Sequence, residues 1–169
     1  MIKTLTFTFA FLFSSIVTQA QNNWISYKID NKISVKFPSK PTHLSDEVLS
    51  SSSKDSSAAL FIAVIDLAKI ADADSAAVAK IIENPDAIKD LANVMNNNTQ
   101  YAKLEDFKLG KWNGFTSYTS TAVGTDPRNK YYHVFVFFIG IKAYMFSAVL
   151  SPTANSKIKD DYFSSITLN

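Results

Sequence analysis

The alternation of apolar and polar residues becomes regular at residues 33–37. Ile33, Val35 and Phe37 lie on one side of an extended segment, and the residues between them are polar. This period of two predicts a half-buried β-strand. Pro38 ends it, because proline cannot donate a hydrogen bond to a strand ladder.

The next segments predict a hairpin and a buried strand. A weaker strand is expected over residues 44–49, followed by a serine-rich loop over residues 50–57. A linker between two domains is the alternative for this loop, but too little sequence precedes it to form a domain. Residues 59–67 are nearly all apolar, which is typical of a strand covered on both faces.

An alanine-rich helix is predicted next, with Asp74 or Ser75 as its N-cap and Val78, Ile81 and Ile82 at helical spacing. A second helical piece is expected to begin at Asn84-Pro85, because proline is favoured in the first turn of a helix. The apolar stripe of this piece consists of Ile88, Leu91, Ala92 and Met95.

From Thr99 the period returns to two, and strands are predicted over residues 100–109, 114–123, 130–139 and 143–150. Turns are expected at residues 111–114, at residues 124–129 and at Gly140. A final helix over residues 155–165 carries one apolar face, formed by Ile158, Tyr162, Phe163 and Ile166. This order predicts an α+β fold with helices packed against one largely antiparallel sheet.

Residues 131–150 have the length of a membrane helix, which gives this segment a second interpretation. His133 and Lys142 oppose it, since a lysine near the centre of such a helix costs roughly 2.5–3.5 kcal/mol of insertion free energy. Aromatic and β-branched residues and the central Gly140 favour two buried strands joined by a turn.

The first twenty residues have the three parts of a secretory signal peptide. Lys3 precedes an uncharged apolar stretch, and small residues occupy Thr18 and Ala20. We therefore predict cleavage between Ala20 and Gln21, a single domain over residues 21–169, and export to the periplasm or the medium. An uncleaved anchor helix is the alternative, but the apolar stretch is short for a bilayer.

The amino-acid composition excludes some ways of stabilising the fold and argues against some classes of partner. The chain has no cysteine, which excludes disulfides and a lipid-modified cysteine after the cleavage site. Its formal charge is +2, and removal of Lys3 with the signal peptide lowers it by one. A nearly neutral chain without basic runs argues against nucleic acid or anionic lipid as a partner. We expect no stable membrane insertion, and the oligomeric state is not determined by the sequence.

Few residues have the types and spacing expected of a catalytic or metal-binding site. The two histidines, His43 and His133, are far apart in the chain, and zinc or iron sites usually require three or four ligands. The glycines form no phosphate-binding pattern, and no serine lies in a nucleophile-elbow motif. We therefore predict no catalytic residues, no metal and no cofactor. A hydrolase whose site is assembled only in the fold remains an alternative.

Aromatic residues and an arginine cluster around two successive predicted hairpins. Residues of these types are enriched at interaction hot spots, so the partner-binding candidates are Trp112, Tyr118, Arg128 and Tyr131. The competing interpretation places most of these side chains in the core. Trp112 and Arg128 are expected in turns, where a partner can reach them.

Several segments resemble those of PsbP-like proteins. At the start, Trp24 and Tyr27 precede the strand of residues 33–37, which ends in the proline-containing sequence 38–41. Residues 140–146 resemble the late hairpin of that family, and residues 161–166, Asp-Tyr-Phe-Ser-Ser-Ile, are similar to its closing motif.

The resemblance implies a three-layer arrangement, a curved antiparallel sheet with helices on either side. The superfamily includes extrinsic subunits of photosystem II, a nuclear-import factor that binds the GTPase Ran, and exported bacterial proteins whose role is not known. Its members share accessory binding and not a reaction, so no functional residue is transferred. We therefore expect an exported binding or accessory protein whose partner is another envelope protein or a small ligand. An envelope assembly factor with a mainly structural role is the remaining alternative.

Overall fold

A computed structural model describes residues 24–71, 74–84, 86, 107–124 and 126–169. The signal peptide predicted over residues 1–20 and the second helical piece predicted after Pro85 lie outside these residues. The strands are β1 Ile25–Lys28, β2 Ile33–Phe37, β3 Thr42–His43, β4 Val48–Ser52, β5 Ala58–Asp66, β6 Lys108–Trp112, β7 Phe115–Val123, β8 Tyr131–Ile139, β9 Lys142–Leu150 and β10 Thr167–Leu168. The described helices are α1 Leu67–Ala71, α2 Ser75–Glu83 and α3 Lys157–Ser164.

Two antiparallel sheets form the framework. The large sheet has seven strands in the order β3-β4-β5-β9-β8-β7-β6, and the small sheet has three in the order β1-β2-β10. The strand predicted from alternation at residues 33–37 is β2, the central strand of the small sheet. A separate small sheet was not expected, since the sequence predicted one sheet only.

The two faces of the large sheet carry different cores. On the first face, which we call the α3 face, Phe137, Tyr144 and Phe146 pack with β2 and α3. On the opposite face, the α2 face, Val134, Val136 and Phe138 pack with Val78 and Ile82 of α2. Both faces are apolar because β8 and β9 are covered on both sides. The prediction of α+β architecture with helices on both faces is confirmed.

Residues 131–150 form the hairpin of β8 and β9, with Tyr131 opposite Leu150 and Ile139 opposite Lys142. The membrane-helix interpretation of this segment is therefore wrong. Gly140 has φ +62° at the reversal, a left-handed conformation that glycine adopts at little cost.

The final helix is docked, as its apolar face predicted. Tyr162 is fully buried, Ile166 is nearly so, and Ile158 and Phe163 pack against the same cluster. The Tyr162 hydroxyl donates a 2.8 Å hydrogen bond to the Phe61 carbonyl of β5. The N-cap of α2 is also confirmed, since Asp74 accepts hydrogen bonds from the backbone N–H groups of Ala76 and Ala77.

Three predicted boundaries were wrong. Residues 44–47 form a bend between β3 and β4, and the loop after β4 covers only residues 53–57. Ser51 remains in the strand because its hydroxyl is paired, donating to the Ser39 carbonyl at 3.0 Å. Trp112 is the last residue of β6, and the turn contains only Asn113 and Gly114.

Candidate functional site

A cleft of about 600 Å³ opens where the small sheet leaves the α3 face of the large sheet uncovered. Buried Leu49 and Ile62 and half-buried Val64 line it from β4 and β5. Tyr27 of β1 and Ile29, which directly follows β1, line it from the other side. The strand pattern explains the apolar lining, since Ile62 and Val64 are on the same side of β5. The remaining lining residues are Ile65 and seven charged or ionisable residues, Asp30, His43, Asp46, Glu47, Asp66, Lys69 and Lys142.

One end of the cleft is fixed by Asp30, which lies in the turn between β1 and β2. Its Oδ1 accepts hydrogen bonds from the backbone N–H groups of Lys32 and Ile33 at 2.8 and 3.1 Å. Its Oδ2 accepts a 2.7 Å hydrogen bond from the Tyr144 hydroxyl and lies 3.5 Å from Lys142 Nζ. The small sheet is thereby tied to β9 of the large sheet.

These contacts shift the pKa values of Asp30 and Tyr144. Burial alone would raise the pKa of Asp30, but the hydrogen bonds from Tyr144 and the turn, with the charge of Lys142, hold it below its ordinary value of 3.8. Burial and the hydrogen bond to Asp30 raise the pKa of the Tyr144 hydroxyl well above its ordinary value. At neutral pH the pair is a carboxylate and a neutral hydroxyl donor.

Asp66 and Lys69 lie where β5 passes directly into α1. Asp66 Oδ1 accepts hydrogen bonds from the backbone N–H groups of Ala68 and Lys69 at 3.1 and 3.3 Å. These are helix-capping contacts, and they satisfy N–H groups that the helix itself leaves unpaired.

The opposite wall is acidic and open. His43, Asp46 and Glu47 are exposed, in or beside the bend that connects β3 to β4. The backbone here is held in place, because the Val64 N–H donates a 3.0 Å hydrogen bond to the Glu47 carbonyl. Asp46 and Glu47 make no ion pair within the described part of the chain.

This arrangement can hold a small organic molecule. Ligand pockets are commonly about 300–1,000 Å³ and largely apolar, with a few charged or polar groups that fix orientation. The cleft has this size and an apolar floor, and its walls carry more charged residues than is usual for such pockets. No group of three or more His, Asp or Glu side chains suited to a metal ion occurs within the described ranges.

The partner-binding candidates from the sequence do not line the cleft, and they separate into two pairs. Trp112 stacks on Phe137 with ring centroids 4.3 Å apart. Tyr118 is 3% exposed and donates a hydrogen bond to the Ile82 carbonyl. Both therefore contribute to the core, so the expectation that Trp112 occupies a turn is corrected.

Arg128 and Tyr131 are exposed, as expected for the hairpin between β7 and β8. The Arg128 guanidinium pairs with Asp126 at 3.1 Å, and its hydrogen bond raises the pKa of Arg128 and lowers that of Asp126. Tyr131 lies opposite Val123, which is also exposed, and the Lys130 ammonium is 5.9 Å from the Tyr131 ring centroid. A role for this hairpin in partner binding stays a prediction.

Comparison with known proteins identifies the fold. No family model and no curated protein sequence matches the chain. The solution structure of cyanobacterial PsbP (CyanoP) from Synechocystis sp. PCC 6803 is similar, with a TM-score of 0.57 and 12% identity over 86% of this chain and 92% of that chain. A crystal structure from Bacteroides thetaiotaomicron VPI-5482 overlaps more loosely, with a TM-score of 0.42 and 9% identity over 81% of this chain and 45% of that chain.

The similarity to the cyanobacterial PsbP structure identifies the fold class. The chain has a PsbP-like α+β fold, as the motifs at residues 33–41, 140–146 and 161–166 had indicated. At 12% identity the likeness concerns the fold alone. Across the described ranges, no helix has the length and apolar character needed to cross a membrane.

Proposed function

We propose that this protein is an exported accessory protein that binds a ligand or partner in the cleft between its two sheets and catalyses no reaction. The cleft is the observation that carries the proposal, because it combines an apolar floor with charged walls on a framework of paired strands. The signal-peptide pattern of residues 1–20 supports export, with cleavage between Ala20 and Gln21.

The chemistry of the cleft supports binding over catalysis. Two of its carboxylates have defined structural contacts: Asp30 holds the β1–β2 turn against Tyr144, and Asp66 caps α1. The hydrogen bonds to Asp30 hold its pKa below the ordinary value, which makes this carboxylate a weak proton acceptor. The PsbP-like fold points the same way, since the resemblance implies accessory binding.

The proposal is tested by capture from an extract of the native envelope. The immobilised protein is compared with a cleft variant, Asp46→Lys/Glu47→Lys, and retained proteins and small molecules are identified by mass spectrometry. A matched control is Glu83→Lys/Asp86→Lys, which changes the charge equally at exposed residues in and just beyond α2. We expect at least one retained species to be lost in the cleft variant and kept in the control. Identical retention by all three proteins would contradict the proposal.

A further inference from the structure

The charges around the cleft are unequal. Its described lining contains the carboxylates of Asp30, Asp46, Glu47 and Asp66, but only two ammonium groups, those of Lys69 and Lys142. The cleft therefore carries an excess of negative charge, whereas the whole chain is slightly positive.

The excess of negative charge lies on the wall formed by the β3–β4 bend. At the far end, Lys142 is 3.5 Å from Asp30, and Lys69 follows Asp66 at the start of α1. On the β3–β4 side, Asp46 and Glu47 lie together without a cation at ion-pair distance among the described residues. A ligand that brings a positive charge to this wall gains attraction without displacing an internal ion pair.

The apolar residues of the cleft favour a ligand that has an apolar part. Leu49, Ile62 and Val64 form the floor, and the Tyr27 ring, which packs edge-on against Phe37, and Ile29 close one side. Leu49 and Ile62 are nearly buried within the fold, so the surface that a ligand can cover belongs chiefly to half-buried Val64, Tyr27 and Ile29. Removing that apolar surface from water is favourable in proportion to the area covered. A bare inorganic cation would leave that surface wet.

We propose that the ligand is a small organic cation, an alkyl or aryl chain ending in an ammonium or guanidinium group. This inference rests on the proposed function and specifies the ligand class for the same cleft. The apolar chain lies along Val64, Tyr27 and Ile29 above the buried floor, and the cation lies against Asp46 and Glu47. The volume of about 600 Å³ fits a small molecule.

The test uses three probes with the same hydrocarbon chain: hexylamine, 1-hexanol and hexanoate. Each is titrated at neutral pH into the processed protein, and affinity is measured by calorimetry or by amide chemical-shift changes. We expect hexylammonium to bind most tightly and hexanoate most weakly. Added salt weakens hexylammonium binding and leaves 1-hexanol binding nearly unchanged, because only the former is electrostatic.

Two matched variants locate the cation. Asp46→Asn/Glu47→Gln removes the two charges from the cleft wall, and Glu83→Gln/Asp86→Asn removes two exposed charges elsewhere. We expect the first to weaken hexylammonium binding by roughly fivefold or more, from the usual strength of exposed charge pairs, and the second to leave it unchanged.

Two results would overturn the ligand class. One is hexanoate binding as tightly as hexylammonium, which would leave the cleft as a binding site for another class of ligand. The other is an absence of hexylammonium binding, or binding that is indifferent to Asp46→Asn/Glu47→Gln. The envelope-capture comparison of the Lys variants judges the proposed function separately, because it does not depend on these probes.

Discussion

The Tyr144 hydroxyl donates a 2.7 Å hydrogen bond to Asp30 Oδ2 and so joins β9 of the large sheet to the β1–β2 turn of the small sheet. Tyr144 is fully buried. Asn169 strengthens the same turn, since its Nδ2 donates a hydrogen bond to the Asp30 carbonyl at 3.0 Å. One end of the cleft is therefore set by contacts between residues that are distant in sequence.

Replacing Tyr144 with phenylalanine is expected to lower the free energy of unfolding by about 1.5–3 kcal/mol, the usual contribution of a hydrogen bond to a charged group. Denaturant unfolding measures the change. Tyr131→Phe is the control, because Tyr131 is exposed, and its effect should stay within about 0.5 kcal/mol. Equal effects of the two variants would show that the Tyr144–Asp30 bond adds nothing to stability.

The same bond predicts a pH dependence of stability. The folded-state pKa of Asp30 is below its unfolded value, so its stabilising contribution is present in full above about pH 4 and is lost as the pH falls through the folded pKa. Tyr144→Phe brings the folded pKa closer to the unfolded one. Unfolding free energies measured from neutral to acidic pH should therefore fall less steeply in the variant, and parallel curves would contradict this.

Alanine substitutions in α3 test how firmly it is docked. Tyr162 is fully buried, with its ring centroid 5.6 Å from that of Phe37, so Tyr162→Ala should cost about 3–5 kcal/mol. Phe163 is only partly buried, and Phe163→Ala should cost less but still lower the denaturation midpoint. An unchanged midpoint for Phe163→Ala would show that Phe163 adds nothing to the core.

Local patterns predicted the central elements well because their periodicity is produced by burial. The strand at residues 33–37 and the apolar face of α3 follow from residues that share one face. The hairpin at residues 131–150 follows from aromatic and β-branched residues on both sides of Gly140. The cleft could not be predicted in this way. Asp30 lies in a turn without a periodic pattern, and its partner Tyr144 is distant in sequence, so only the packing of two sheets brings them together. The charged residues of the β3–β4 bend likewise carried no signal beyond being polar.

Trp112 shows how a turn assignment can mislead. Asn113-Gly114 is the turn, and the tryptophan beside it stacks on Phe137, so Trp112→Ala should lower stability by about 3 kcal/mol, the low end for a core aromatic.

Arg128→Ala should leave the melting temperature nearly unchanged, because its ion pair is exposed. If the hairpin binds a partner, Arg128→Ala reduces capture in a pull-down without changing melting. Unchanged capture would remove Arg128 from the candidate surface.

Export predicts a specific mature chain. The small residues at Thr18 and Ala20 predict a cleavage site before Gln21, because signal peptidases recognise small residues at these two positions. Intact-mass measurement of the protein from its native source should give a chain that begins at Gln21. A chain that retains Met1 to Ala20 would contradict both cleavage and the proposed localisation.

The cleft is tested most directly by cross-linking in the producing cell. Because the chain has no cysteine, His43→Cys provides a unique attachment point for a thiol-reactive photo-cross-linker at the cleft wall. Lys54→Cys provides the matched control, since Lys54 is exposed in the loop between β4 and β5, at the other end of those strands. A binding role for the cleft predicts an adduct from position 43 that is absent from position 54 and is lost when Asp46 and Glu47 are replaced by lysine. Equal yields at positions 43 and 54, or no adduct at position 43, would contradict it.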